Sequence, residues 1–355
     1  MRLLIPSKIS CAFRWMAIVV VLVVPQVMLA TQWHVTVGAQ SKDKGHQALA
    51  FLPNEIWIHA GDRITWTFPV PEPHSVTFLT PGPPGQVRPS VVIGCPGDTP
   101  DDSPFDGSAC VNSGRIATIG TTYTVTFPKA GNYRLVCLIH VNMTGIVHVL
   151  NPSLPLPHDQ DFYNAQAADQ QRDLLSDHDG GLARKFKEDA ADGSGEADAH
   201  AHNHMIVTGT GELVSTPGGI QSVSVMRFMQ PSITIHAGET VEWHSSDVSG
   251  HTVTFGQEPP NVTPQTPPSG NVFADPDGAR HAIISSTAHN VHSGFIAPAA
   301  HERNGVPQAP APIAQVQPPV GVTRFRVTFM TPGTYPYICA FHDELGMKGE
   351  VIVLP

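Results

Sequence analysis

One stretch of this chain occurs twice. PNEIWIHAGDRITWTFPVPEPHSVTF, ending at Phe78, aligns with QPSITIHAGETVEWHSSDVSGHTVTF, ending at Phe255, so His59 matches His236 and His74 matches His251 at a common offset of 177. Further on, AGNYRLVCLIH (to His140) matches PGTYPYICAFH (to His342), where the offset has grown to 202, which places 25 additional residues in the second copy between its upstream histidine and its cysteine. A repeat of this length in a chain of 355 residues means two units of the same architecture, each long enough to bury its own core.

The segments inside the repeat are short and rich in Val, Ile, Thr and aromatics, and Gly, Pro and Asn punctuate them. In the first copy they are Trp33–Gly38, Ile56–His59, Arg63–Phe68, Ser75–Leu79, Thr121–Phe127, Tyr133–Cys137 and Gly145–Leu150. Ile233–His236, Thr240–His244, Thr252–Phe255, Thr323–Phe329, Tyr335–Cys339 and Gly349–Leu354 repeat them. This pattern predicts an all-β chain of two antiparallel sandwiches.

Each repeat closes on a loop that concentrates sulfur and imidazole: CLIHVNM (Cys137–Met143) and CAFHDELGM (Cys339–Met347). With the upstream histidines the candidate metal ligands are His74, Cys137, His140 and Met143 in one set and His251, Cys339, His342 and Met347 in the other. An ion that cycles between a soft and a borderline oxidation state is served by thiolate and thioether together with two imidazoles, which points to copper, one ion per set. A lone Cys-x2-His near a Met is ordinary core, since buried Cys and Met are common. Two complete copies in matching contexts are not.

The order of an upstream His, a G-x-Y-x-x-x-C strand and a C-x2-H-x(2 or 4)-M loop resembles the cupredoxin family of small blue copper proteins, over residues 32–150 and 205–355. The first loop is similar to the short amicyanin form and the second to the plastocyanin and pseudoazurin form. The resemblance implies two Greek-key β-sandwich domains, two type 1 copper ions per chain, electron transfer to and from redox protein partners, and no catalysis by the chain itself. It also implies that the polar residues following the upstream histidines, Ser75 and Thr252, tie the two ligand-bearing loops together. Copper-dependent oxidoreductases of the two-domain nitrite reductase or multicopper oxidase type are the alternative, and a copper carrier or storage protein is another. In those enzymes histidines adjoin the blue-copper cysteine; here Val136 and Leu138 flank Cys137, and Ile338 and Ala340 flank Cys339.

The N-terminal 30 residues carry Arg2, Lys8 and Arg14, then the apolar run Trp15–Val24, then Pro25 and the small residue Ala30. The run is short for a membrane span and reads as an export signal occupying residues 1–30, which implies a periplasmic or secreted protein. Left uncleaved, this segment would be the chain's route to a membrane. Of five cysteines, Cys11 lies in this segment, two belong to the ligand sets, and Cys95 and Cys110 remain as a disulfide candidate that suits an oxidising compartment.

The formal charge of −10 is largely local, because residues 158–199 alone carry −7. This divides the chain into a first domain at 31–155, an acidic linker at 156–204 with helix expected within Asp159–Ser176 and again after Gly181, and a second domain at 205–355. No basic stripe with interleaved aromatics is present, so nucleic acid is not an expected partner. His200, His202 and His204 (HAHNH) read as a solvated tract rather than a further metal site. His281, His289 and His292 read as surface or packing residues. The Pro- and Gly-rich insertions at about 80–120 and 256–320 are expected as loops near the copper ends or across the domains.

Overall fold

The computed structural model describes residues 30–79, 98–140, 142–176, 204–245, 249–263, 266–297, 302–303, 306–307 and 322–355. Residues 1–29 of the segment read as an export signal, Cys95, His200 and His202, and the helix expected after Gly181 lie outside the described residues.

The first repeat contains β1 (Gln32–Gln40), β2 (His46–Leu52), β3 (Glu55–His59), β4 (Arg63–Phe68), β5 (Thr77–Phe78), β6 (Ser103–Pro104), β7 (Val111–Asn112), β8 (Thr121–Thr126), β9 (Gly131–Val136) and β10 (Thr144–Leu150). After α1 (Gln160–Leu175), the second repeat contains β11 (Met205–Thr216), β12 (Gly219–Phe228), β13 (Ser232–His236), β14 (Thr240–His244), β15 (Thr254–Phe255), β16 (Val272–Ala274), β17 (Arg280–Ile284), β18 (Val291–His292), β19 (Glu302–Arg303), β20 (Val306–Pro307), β21 (Arg324–Phe329), β22 (Gly333–Ile338) and β23 (Lys348–Leu354).

Alternation along the strands sets which side chains point inward. In β3, Ile56 and Ile58 are buried between more exposed neighbours; in β21, Phe325, Val327 and Phe329 do the same. Each repeat is a sandwich. The first packs β6-β8-β4-β1-β2 over β3-β10-β9-β5-β7, with Trp66, Phe68, Phe78 and Phe127 fully buried between them. The second packs β16-β17-β21-β14-β11-β12 over β13-β23-β22-β15-β18, around Trp243, Phe255, Phe325, Phe329 and Tyr337.

The repeats are fused through their sheets. β12 pairs antiparallel with β2 in the register Ser222↔Leu49, Val223↔Ala48, Ser224↔Gln47 and Val225↔His46, giving one sheet of eleven strands. The paired strands occupy corresponding places in the two repeats, so the units are related by an approximate two-fold axis through this ladder. The joint also covers two strand edges that would otherwise present unpaired backbone to solvent.

The helix expected in the linker forms, and it is docked. Asp159 caps α1 by accepting from the Phe162 N–H at 3.0 Å, while Asp161 in the first turn and Arg172 in the last suit the helix dipole. Leu174 packs on Ala39, Ala48, Ala50 and Leu52. Tyr163 inserts beside Trp33, and its hydroxyl accepts from the Trp57 N–H at 2.9 Å. Small residues on β1 and β2 therefore make room for the helix, and β2 is covered on both faces.

The long insertions are partly built into the sheets. β7 and β18 extend the smaller sheet of each repeat, and the β16–β17 hairpin extends the second half of the large one.

Candidate metal centres

In each repeat the cysteine ends a core strand and the chain turns back on itself at once. The Met143 carbonyl accepts from the Cys137 N–H and the Met347 carbonyl from the Cys339 N–H, both at 3.0 Å, so the two ends of each loop are zipped together. The second loop absorbs its two extra residues in a single 3-10 turn, Asp343–Leu345, closed by Gly346 in the left-handed region. The upstream histidines are fixed by another segment. His74 exchanges backbone hydrogen bonds with Ile116, and His251 does so with Ile296, so a residue of each insertion pins a donor.

These constraints bring three of each set of four together. The donor atoms of His74, Cys137 and His140 lie within 4.8 Å of one another and are buried, and those of His251, Cys339 and His342 do the same. His74 Nδ1 stands 3.1 Å from His140 Nδ1, and His251 Nδ1 stands 3.2 Å from His342 Nδ1. Cys339 Sγ is 3.4 Å from His342 Nδ1. Met143 and Met347 are fully buried in the core beside their cysteines.

The residues holding the sulfur are equivalent in the two repeats. The Ser75 N–H and the Thr252 N–H each point at the cysteine Sγ at 3.4 Å. The Ser75 hydroxyl accepts from the Leu138 N–H, and the Thr252 hydroxyl from the Ala340 N–H, both at 2.8 Å. The tether between the two ligand-bearing loops is therefore present.

Electrostatics favour a cation. Burial alone would push the Cys137 thiol up; hydrogen bonds with His140 and His74, with their positive charge, outweigh it and hold the thiol well below its usual value. Cys339 is lowered against burial in the same way by His342 and His251. Burial lowers His74, whereas the Cys137 and Glu72 contacts overcome burial to raise His140 to about 9; a metal ion bound here would compete with protons for these nitrogens. Deprotonated thiolate, two inward imidazole nitrogens and a buried methionine are donors that fit copper.

Glu72 is the residue that spacing did not single out. It is buried, accepts from His140 Nε2 at 3.0 Å and lies 3.9 Å from His342 Nε2. Burial would raise its carboxyl, yet the His140 hydrogen bond and the charges of His342, His140 and His74 bring it down to about 2. Its position two residues before His74 was the only signal in the sequence.

His292 is buried and hydrogen-bonded to Thr254 Oγ1 at 2.8 Å, in the place that Asn112 takes opposite Thr77. His281 bonds Asp275 and Thr328 away from the centre. His289 contacts the Ser285 N–H at an exposed turn. His204 pairs with Glu239 at 3.3 Å. Cys110 is disulfide-bonded, whereas Cys137 and Cys339 form no disulfide.

The sequence profile of the copper binding proteins of the plastocyanin/azurin family matches residues 37–150 and 214–354. Plastocyanin of Ginkgo biloba is 31% identical over 103 residues, covering 28% of this chain and 88% of its own. Among solved structures, amicyanin from Paracoccus versutus is 18% identical, with 45% of this chain and 86% of its own covered at a TM-score of 0.22. Oxidised plastocyanin from Dryopteris crassirhizoma is 19% identical, with 42% and 99% covered at a TM-score of 0.20.

Proposed function

The chain belongs to the plastocyanin/azurin family of copper-binding proteins, and on that premise we propose that it is an exported electron-transfer protein with two type 1 copper centres. His74, Cys137, His140 and Met143 hold the first ion, and His251, Cys339, His342 and Met347 the second. The observation that carries this reading is the pair of buried thiolate and imidazole clusters, one in each repeat.

Bound copper would supply a reversible one-electron change. The chain's part is to hold the donors still and keep water away. His74 and His251 are fixed by backbone bridges, the cysteines by N–H groups aimed at sulfur, and the closing loops by their own hydrogen bonds, so little rearrangement accompanies a change of charge. The residues flanking Cys137 and Cys339 carry no imidazole to hold a neighbouring substrate-binding ion, which supports a carrier rather than an oxidoreductase. Redox proteins on either side are the proposed partners. A periplasmic or secreted location follows from the N-terminal 30 residues, and the Cys95–Cys110 pairing is proposed to go with it.

The test is copper analysis with visible and electron paramagnetic resonance spectra of the oxidised protein. Two ions per chain, with an intense thiolate-to-copper band, are expected. Cys137→Ser and Cys339→Ser should each remove one of two blue signals; one ion per chain, or no such band, overturns the proposal.

A further inference from the structure

The outward edges of the two closing-loop histidines are buried and turn toward one carboxylate. His140 and His342 come from different repeats, 7% and 5% exposed, and between them stands Glu72, 4% exposed. One carboxylate oxygen accepts from His140 Nε2 at 3.0 Å and the other lies 3.9 Å from His342 Nε2. The Nδ1 atoms of both rings face their donor clusters, and the Nε2 atoms face the same carboxylate, hydrogen-bonded to it in His140 and at ion-pair distance in His342. The arrangement is not duplicated by the two-fold relation. The position equivalent to Glu72 is Ser249, whose buried hydroxyl has no hydrogen-bond partner.

We propose that Glu72 is a positioning residue that couples the two centres, a shared anionic partner for His140 and His342 through which charge at either centre is felt at the other. This rests on the copper reading above. A carboxylate bonded to the far nitrogen of a ligating imidazole makes that ring a better donor to the higher oxidation state, and a buried pair acts through a lower effective dielectric than water. The contact also joins the clusters by a short path of side chains. With copper bound in both clusters, Glu72 and the two imidazoles it faces would be the side chains lying between the centres.

Two measurements test the coupling. In the copper-loaded protein, Glu72→Gln is expected to lower the ratio of copper(II) to copper(I) affinity at both centres, each on the order of tenfold, seen as a rise in both midpoint potentials. A shift confined to the centre containing His140, or at neither, overturns the proposal. The second measurement keeps Glu72 in place. In Cys137→Ser with 13C-labelled glutamate, adding copper(I) fills only the second centre, and the Glu72 carboxyl resonance is expected to move; a stationary resonance overturns the coupling whether or not Glu72→Gln folds. Failure of the wild-type chain to show blue copper would defeat the parent reading instead, whereas loaded centres with an indifferent Glu72 defeat this one alone.

Discussion

Ser75 and Thr252 each join two strands that must not slide if the donor atoms are to stay in register. Their hydroxyls accept from the N–H of the residue after the cysteine, in a buried setting. Replacing either by Ala leaves a buried amide without its partner, at a cost of about 1–3 kcal/mol. Ser75→Ala is expected to lower thermal stability and alter the absorption of the first centre, and Thr252→Ala the second; an unchanged melting temperature and spectrum in both would refute the tether. At this scale the sequence was informative wherever repetition marked a residue. Six of the eight proposed ligands meet as imidazole and thiol clusters, with the two methionines buried alongside. Glu72 escaped because a carboxylate near a ligand in sequence carries no signal of which buried imidazoles it meets, and one of them lies 270 residues further along the chain.

At the scale of elements, alternating strands were legible and the others were not. β3, β13 and β14 show alternation on one face and fall where the pattern places them. β2 is buried along nearly its whole length, by the core below, α1 above and β12 alongside, so its sequence HQALAFL is a small apolar run without a period of two. β11 and β12 were missed because β12 derives its burial from the other repeat. β21 supplies a case where charge takes the place of packing. Its Arg326 reaches Glu242 at 2.6 Å, Asp275 at 3.0 Å and Asp277 at 2.7 Å, tying β14 and the β16–β17 turn to one strand. The Arg326 hydrogen bond is the largest cause holding the Asp277 carboxyl down to about 2. A depressed acid contributes stability that is complete above its ordinary value near 3.8 and is lost as pH falls through about 2. Arg326→Leu is therefore expected to lower the melting temperature by a nearly constant amount above about pH 4, with the gap to wild type narrowing toward pH 2. Asp277 is 42% exposed on its side chain, so screening keeps its share small, and a gap that widens on acidification would contradict the assignment.

Across the whole molecule, the joint between repeats does more than extend a sheet, because it braces both closing loops. Arg227, in β12, donates to the Leu345 carbonyl at 2.7 Å and to the Asp43 carbonyl of the first repeat at 2.7 Å, so the second loop is anchored to the other unit. Arg227→Ala is expected to alter the second centre's absorption, leave the first centre's unchanged, and cost about 1–3 kcal/mol in unfolding; equal spectral changes at both centres would contradict local bracing. The reciprocal contact runs the other way. The turn between β11 and β12 lies on the residue after Met143: the Ile220 N–H donates to Thr144 Oγ1 at 2.8 Å, and Asn54 donates to Thr216 Oγ1 at 2.7 Å. Gly219 makes that approach with φ at +143°, and a Cβ there would collide with Thr144 Oγ1. Gly219→Val combines an unfavourable backbone conformation with this clash, at a cost of about 1–3 kcal/mol. Displacement of Thr144 displaces Met143, its neighbour in the chain. The expected outcome is a substitution in the second repeat whose spectral change appears at the first centre, read from the Cys339→Ser background where only that centre is blue. An unchanged first-centre spectrum at full copper loading would mean that the joint holds the two units together without shaping the centre it borders.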